Sequence, residues 1–268
     1  MPQSSPNLHT RTGSENKFLL HVQDLSMRFG GLLAVDKVSF GVRSGEIFAI
    51  IGPNGAGKTT VFNCISGFYR PSAGTVHLDG RDITGHSSHH VARHGMVRTF
   101  QNVRLFKSMT ALENLLVAQQ GRGTSLLHGL FNTARYRRGE QQKIDTALHW
   151  LSTMGLAAFA NREAGNLAYG HQRRLEIARC MITGPRVLML DEPAAGLNPQ
   201  EKKELLLLLE QLRREHPITI LLIEHDMGLV MGVSERILVM EYGSPIALDT
   251  PEAVRRNEKV VKAYLGEA

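Results

Sequence analysis

The chain has 268 residues and 42% apolar content, enough for one large or two small domains with a real core. A formal net charge of +6 raises nucleic acid or an anionic membrane surface as partners. However, the charges are scattered and the densest basic run, Arg135-Tyr136-Arg137-Arg138, is short, so a solvated basic face beside a nucleotide site accounts for them. No run approaches the ~20 apolar residues of a membrane span, residues 1–17 lack the apolar core of a secretory signal, and Cys64 and Cys180 have neither metal-ligand nor C-x-x-C spacing, which reads as buried thiols in a reducing compartment.

Residues 1–16, rich in Ser, Asn and Thr, predict a disordered tail. Residues 18–42 read as strands, with Val38, Phe40 and Val42 alternating with Ser39 and Gly41 to give one buried face. Phe29, followed by Gly30-Gly31, is either an aromatic that stacks on a purine or an ordinary strand-end core residue. Glu46-Ile47-Phe48-Ala49-Ile50-Ile51 then predicts a buried strand. It runs into Gly52-Pro53-Asn54-Gly55-Ala56-Gly57-Lys58-Thr59-Thr60, which fits G-x-x-x-x-G-K-[ST]. A helix follows and stops at Gly67. In that setting glycines let backbone N–H groups curl around phosphate oxygens, and the helix N-terminus adds partial positive charge. Lys58 is then placed to reach the β- and γ-phosphates and the Thr59 hydroxyl to ligate Mg2+.

Pro71-Ser72-Ala73-Gly74 is a turn, and residues 75–80 a strand ending at Asp79-Gly80. His86, His89, His90 and His94 read as a solvated helix start, since no cysteine or carboxylate completes a metal spacing. Residues 97–101 form a short strand ending in Gln101. Thr110-Ala111-Leu112-Glu113 is a capping box that opens a helix through Gln119. Residues 121–140 read as irregular. Residues 143–154 read as a helix with Ile144, Leu148 and Leu151 on its apolar stripe and Gly155 as C-cap. Together with a helix over 173–182, this predicts a helical insertion of about 102–183 in an α/β domain.

Val187-Leu188-Met189-Leu190 is a continuous apolar strand ending at Asp191-Glu192. A strand-end aspartate is where P-loop NTPases hold Mg2+, and a neighbouring glutamate can polarise an attacking water. A helix follows Pro199; its five consecutive leucines, 205–209, predict burial on every face. Residues 218–223 form another buried strand ending at Glu224-His225. Strands at 237–240 and 246–248 flank a turn at Tyr242-Gly243-Ser244, and Thr250-Pro251 opens the closing helices.

These motifs, in this order, make residues 18–250 resemble the nucleotide-binding subunits of ABC transporters. The resemblance implies an α/β P-loop NTPase fold of ABC type. It would form a single domain over residues 17–268, with a mixed sheet core, an antiparallel β subdomain and a helical subdomain. It implies that Gly52 to Thr60 bind ATP and that Asp191 belongs to the Walker B strand. Glu192 would be the catalytic glutamate, Gln101 the Q-loop glutamine that ligates Mg2+ and senses the membrane subunit, and His225 the switch histidine on the γ-phosphate. Thus Glu192, His225 and Lys58 are the expected catalytic residues; Thr59, Gln101 and Asp191 the expected Mg2+ ligands; and Phe29 the expected adenine-stacking aromatic.

The chain departs from the family pattern twice. Leu167-Ala168-Tyr169-Gly170-His171 stands where Leu-Ser-Gly-Gly-Gln is usual, so a serine hydroxyl is replaced by Ala168. In the D-loop Ala195-Gly196-Leu197-Asn198, Asn198 stands where aspartate is common. The expectation is therefore a heterodimer with a second ABC ATPase subunit that carries a fuller signature.

Within the family the chain resembles the LivG-type ATPases of branched-chain amino-acid importers. The likeness lies in Tyr169-Gly170, residues 194–198, residues 223–227 and the ending Ala263-Tyr264-Leu265-Gly266-Glu267. The lipopolysaccharide-export ATPase of the same branch is the nearest competitor. The implied partners are membrane permease subunits and, indirectly, a periplasmic substrate-binding protein, with the chain peripheral at the cytoplasmic face of the bacterial inner membrane. A groove beside Gln101, lined by Phe100, Phe106 and Met109, would hold a short helix of the membrane partner; internal packing explains the same trio equally well. A non-transport ABC ATPase acting on nucleic acid is disfavoured by the single P-loop and the absence of heptads, so no nucleic acid is expected.

Overall fold

The computed structural model describes residues 18–119 and 134–265. The expected tail and most of the 121–140 stretch lie outside the described residues. Two sheets form the frame. β1 (Leu20–Phe29), β2 (Leu32–Val42), β4 (Ala73–Leu78) and β5 (Arg81–Asp82) make an antiparallel sheet in the order β2-β1-β4-β5. β3 (Ile47–Ile51), β6 (Met96–Arg98), β7 (Val187–Asp191), β8 (Thr219–Ile223), β9 (Arg236–Glu241) and β10 (Ser244–Asp249) make the second, in the order β10-β9-β3-β8-β7-β6. Its pairings are parallel except β10 with β9, so the core is a mixed sheet as expected.

Every residue of β3, β7 and β8 is buried. Apart from Asp191 and Thr219 these strands are apolar throughout, which suits strands covered on both faces. Alternation then divides the core in two. Ile47, Ala49 and Ile51 face the helical layer. Phe48 and Ile50 face the antiparallel sheet and α1 (Lys58–Ile65), where the Phe40 and Phe48 rings stack with centroids 5.2 Å apart. β7 divides the same way, with Leu188 and Leu190 on the first side and Val187 and Met189 on the second.

After the short helix α2 (Ser88–Arg93), the helical part comprises α3 (Ala111–Gln119), α4 (Ala134–Thr153) and α5 (Tyr169–Met181). The expected capping box is formed: Glu113 N donates to Thr110 Oγ1 at 3.1 Å, and Thr110 N to Glu113 Oε2 at 2.7 Å. Two expectations fail at α4. The helix already runs at 134–140, where the sequence read as irregular. Gly139 costs an otherwise helix-favouring segment only about 1 kcal/mol, less than a break requires. Its buried stripe is Ala147, Trp150 and Leu151, continued by Met154 just past its end, while Leu148 is exposed. The small Ala147 completes an i, i+3, i+4, i+7 face that the larger Leu148 had obscured.

The leucine run is corrected in the same way. In α6 (Pro199–Glu215), Leu205, Leu208 and Leu209 are buried but Leu207 is 62% exposed. Only one stripe of this helix meets the core. α7 (Met227–Val233), α8 (Pro251–Arg256) and α9 (Glu258–Leu265) complete the chain, with Thr250 capping α8 through Ala253 N. Among the described residues no helix is long and apolar enough to cross a membrane.

Candidate nucleotide site

The motif residues gather at the carboxyl ends of β3, β7, β8 and β6, where open α/β sheets bind ligands. The phosphate loop follows β3. Two of its glycines are sterically required. A Cβ at Gly52 would lie 2.2 Å from the Met240 carbonyl oxygen, and one at Gly57, with φ +91°, 2.6 Å from that of Ala34. Lys58 is buried, and its Nζ donates to the Gly52 and Pro53 carbonyls at 2.7 and 2.9 Å. Burial pushes its ammonium below its usual pKa, while Glu192 and Asp191 pull it back.

The loop lines a cavity of about 400 Å³ with residues 54–60, Glu192, residues 32–34, Tyr242 and Gly243. The last five were not expected. Gly243 docks the β9–β10 turn onto the loop, donating to the Ala56 carbonyl at 3.2 Å and accepting from Asp36 N at 2.9 Å. Tyr242-Gly243 was legible as a turn, but nothing local says which loop a turn leans on. Phe29 does not line this cavity; its ring meets Tyr69 edge-on at 5.4 Å and stays 42% exposed.

Asp191 and Glu192 sit side by side but in different surroundings. Asp191 is buried and pairs through Oδ2 with Arg98 Nη2 at 2.5 Å. Arg98 also donates from Nη1 to Asn63 Oδ1 at 2.6 Å and Ser66 Oγ at 3.0 Å, with the Phe62, Phe68 and Phe100 rings packed around its guanidinium. Sequence reasoning missed Arg98 altogether. Glu192 has φ +46°, which turns its carboxylate away from the line of β7 and into the cavity. Gln101 Nε2 donates to Glu192 Oε2 at 3.2 Å, and His225 Nδ1 lies 3.8 Å from the same oxygen. Gln101, Glu192 and His225, all expected in the site, are therefore brought together. Glu224, also missed, is fully buried; it accepts from Ala194 N, His225 N and Asp226 N, fixing the chain on both sides of the histidine.

Thr59, Asp191 and Gln101 present only oxygen ligands: an exposed hydroxyl, a carboxylate whose Oδ1 has no hydrogen bond among the described residues, and an amide oxygen opposite the bonded Nε2. Such a hard donor set fits Mg2+.

The signature residues do not line this cavity. Leu167 is buried, and Ala168 is the N-cap of α5 without a side-chain cap. The Tyr169 ring lies over Gly196, where a Cβ would be 3.0 Å from it, and a Cβ at Gly170 would be 2.6 Å from Glu201 Oε1. The His171 ring packs 4.7 Å from that of Phe159. Asn198, odd as a D-loop residue, forms a capping box with Glu201 at the start of α6. The groove beside Gln101 has a volume of about 320 Å³ and includes Phe100, Arg104, Glu176 and Arg179. Phe106 and Met109, expected there, are not among its lining residues.

A backbone cradle for phosphates, facing a carboxylate that can orient water, is the working part of an ATPase of the P-loop class. Residues 35–195 match the ABC transporter family, and the chain belongs to it. Residues 244–268 match the C-terminal segment described as branched-chain amino acid ATP-binding cassette transporter. Among curated relatives, the high-affinity branched-chain amino acid transport ATP-binding protein BraF of Pseudomonas aeruginosa is 59% identical, covering 93% of this chain and 98% of its own. LivG of Salmonella typhimurium is 59% identical over the same shares. Of the solved structures, the ADP conformation of MJ1267, an ATP-binding cassette of an ABC transporter, superposes with TM-score 0.80 at 33% identity, covering 93% of this chain and 99% of that one. A nucleotide-free cassette superposes with TM-score 0.81 at 34% identity over the same shares. The protein is thus an ATP-hydrolysing subunit of an ABC transporter.

Proposed function

We propose that this ATPase powers uptake of branched-chain amino acids (leucine, isoleucine and valine) from the cytoplasmic face of a bacterial inner membrane, held there by permease subunits that receive substrate from a periplasmic binding protein. The observation that carries the substrate is the 59% identity to BraF and LivG over nearly the whole chain, joined by the match of the C-terminal segment. The substrate itself meets the permeases, not this subunit.

In the proposed cycle Lys58 gives up the Gly52 and Pro53 carbonyls for the β- and γ-phosphates. Glu192, steadied by Gln101, orients the attacking water, and His225 and Lys58 stabilise the charge that develops on the γ-phosphate. Mg2+, held by Thr59, Gln101 and Asp191, would supply charge neutralisation on the phosphates. Phe29 stacks on the adenine with its exposed face. Residues 167–171 close over the nucleotide of a second cassette, which is consistent with none of them lining this chain's own cavity. That second cassette is a paralogue with a serine-bearing signature, so the two ATP sites are unequal. The groove at Phe100 receives a short helix of the permease.

Expression of the chain with its own permeases in cells lacking leucine uptake tests the reading. Labelled leucine enters only when the Lys58→Ala variant is replaced by the parent chain. Uptake of none of the three amino acids, with the complex assembled, would remove the substrate. A tight ATP-dependent homodimer with full cooperative hydrolysis would remove the paralogue.

A further inference from the structure

The largest wholly buried side chain of the described residues is a charged one. Arg173, on the signature helix α5, is 1% exposed, and its ion-pair partner Glu176, one turn on, is 4% exposed. Burying such a pair is costly unless its remaining hydrogen-bonding groups are satisfied. Arg173 Nε is buried without a partner among the described residues, and the other groups are satisfied chiefly by the backbone of the Q-loop. Arg173 Nη1 donates to the Phe100 carbonyl and Nη2 to the Gln101 carbonyl, both at 2.8 Å. Glu176 Oε1 accepts from Phe100 N at 3.4 Å and Arg104 N at 3.3 Å. Four main-chain groups around Gln101 are thus held by one ion pair from another element. On the other side, Arg173 Nη2 donates to Tyr169 Oη at 3.2 Å, and the Tyr169 ring lies against Gly196 of the D-loop.

We infer that the Arg173–Glu176 pair is a positioning device for hydrolysis, fastening the Q-loop to the signature helix so that the two move as one body and Gln101 is set against Glu192. The planar guanidinium suits this task because it reaches two successive carbonyls at fixed spacing, which a lysine ammonium cannot do. The inference rests on the reading of Gln101 as part of the hydrolytic site. It also gives the Q-loop a route to the D-loop through Tyr169.

The test is the double variant Arg173→Met/Glu176→Met in the full chain. It removes both charges together and leaves apolar groups of similar length, a replacement that buried pairs commonly tolerate. With the fold checked by its melting transition, the amides of Phe100 and Arg104 are expected to exchange at least about tenfold faster than in the parent. Those of Ile50 and Val61 stay unchanged. The kcat for ATP falls about tenfold, while KM and ATP affinity stay within about twofold, because the phosphate loop is untouched. Arg173→Lys, which keeps the charge but not the fork, falls between the two. Unchanged exchange at residues 100–104 in a folded double variant overturns the inference. So does faster exchange with unchanged kcat, provided Gln101→Ala lowers kcat; if Gln101→Ala is also fully active, the reading of Gln101 is what has failed, and the positioning role falls with it.

Discussion

Arg98 Nη2 lies 2.5 Å from Asp191 Oδ2, and both side chains are almost wholly buried. The pair joins β6 to β7, the strand that ends in Asp191. Through Asn63 and Ser66 it also ties in the helix that follows the phosphate loop. Removing one member of a buried pair leaves the other charge uncompensated, at about 3–5 kcal/mol. Arg98→Met is therefore expected to lose that much stability in urea unfolding. A loss below about 1 kcal/mol would show that Asp191 does not need its partner.

Glu192 is bonded to Gln101 and faces His225, but it touches neither Lys58 nor any other phosphate-loop residue through a hydrogen bond. Glu192→Gln should leave binding of a fluorescent ATP analogue within about threefold and lower phosphate release at least about 100-fold. Equal turnover in variant and parent excludes the residue as the group that orients water.

Ala168 occupies the N-cap of α5 in an extended conformation without offering a side-chain acceptor. A serine there can accept from a free amide of the first turn. Ala168→Ser is expected to stabilise the chain by about 0.5–2 kcal/mol in denaturant melts. A neutral or destabilising change would mean that the first-turn amides are already satisfied.

Burial pushes the Cys64 thiol from 9.0 up to about 11. The folded state then keeps its proton where the unfolded state loses it. Stability is unaffected by this group below pH 9 and falls as pH rises from 9.0 towards about 11. Since the thiolate is the nucleophile, alkylation of Cys64 by iodoacetamide at pH 8 should be at least about tenfold slower in the folded chain than in urea. Peptide mapping by mass spectrometry reads this directly, and equal rates would contradict the burial.

Phe29 offers a half-exposed ring outside the phosphate cavity. If it stacks on adenine, Phe29→Ala should weaken ATP by about 1–3 kcal/mol in a calorimetric titration. Tripolyphosphate affinity should not change. Equal losses for both ligands would point to a disturbed loop rather than a lost stack.

The local readings that held are those whose partners lie within one turn or one strand. The phosphate loop between β3 and α1 and the box Thr110–Glu113 are short-range patterns written in a few consecutive residues, as is the box Asn198–Glu201, which the sequence reading passed over. The apolar runs 47–51, 187–190 and 220–223 likewise read as buried strands, and each of their residues is buried in β3, β7 and β8. Composition misled where one face of a helix had to be chosen. Leu207 and Leu148 are exposed although both are as apolar as their buried neighbours. Which stripe turns inward depends on what packs against it.

By itself, then, the amino-acid order determined the strand–loop–helix with the phosphate-loop pattern, the carboxylates at a strand end, and the family to which these motifs point. The tertiary structure alone decided how they are held. Arg98 and Asp191 are 93 positions apart, and Arg173 is 72 from Gln101. Their meeting follows from the sheet order, which sets β6 beside β7, and from the packing of α5 under the Q-loop. No periodicity records such a meeting, because charge and spacing along a chain say that a buried arginine needs partners but not which distant backbone will supply them.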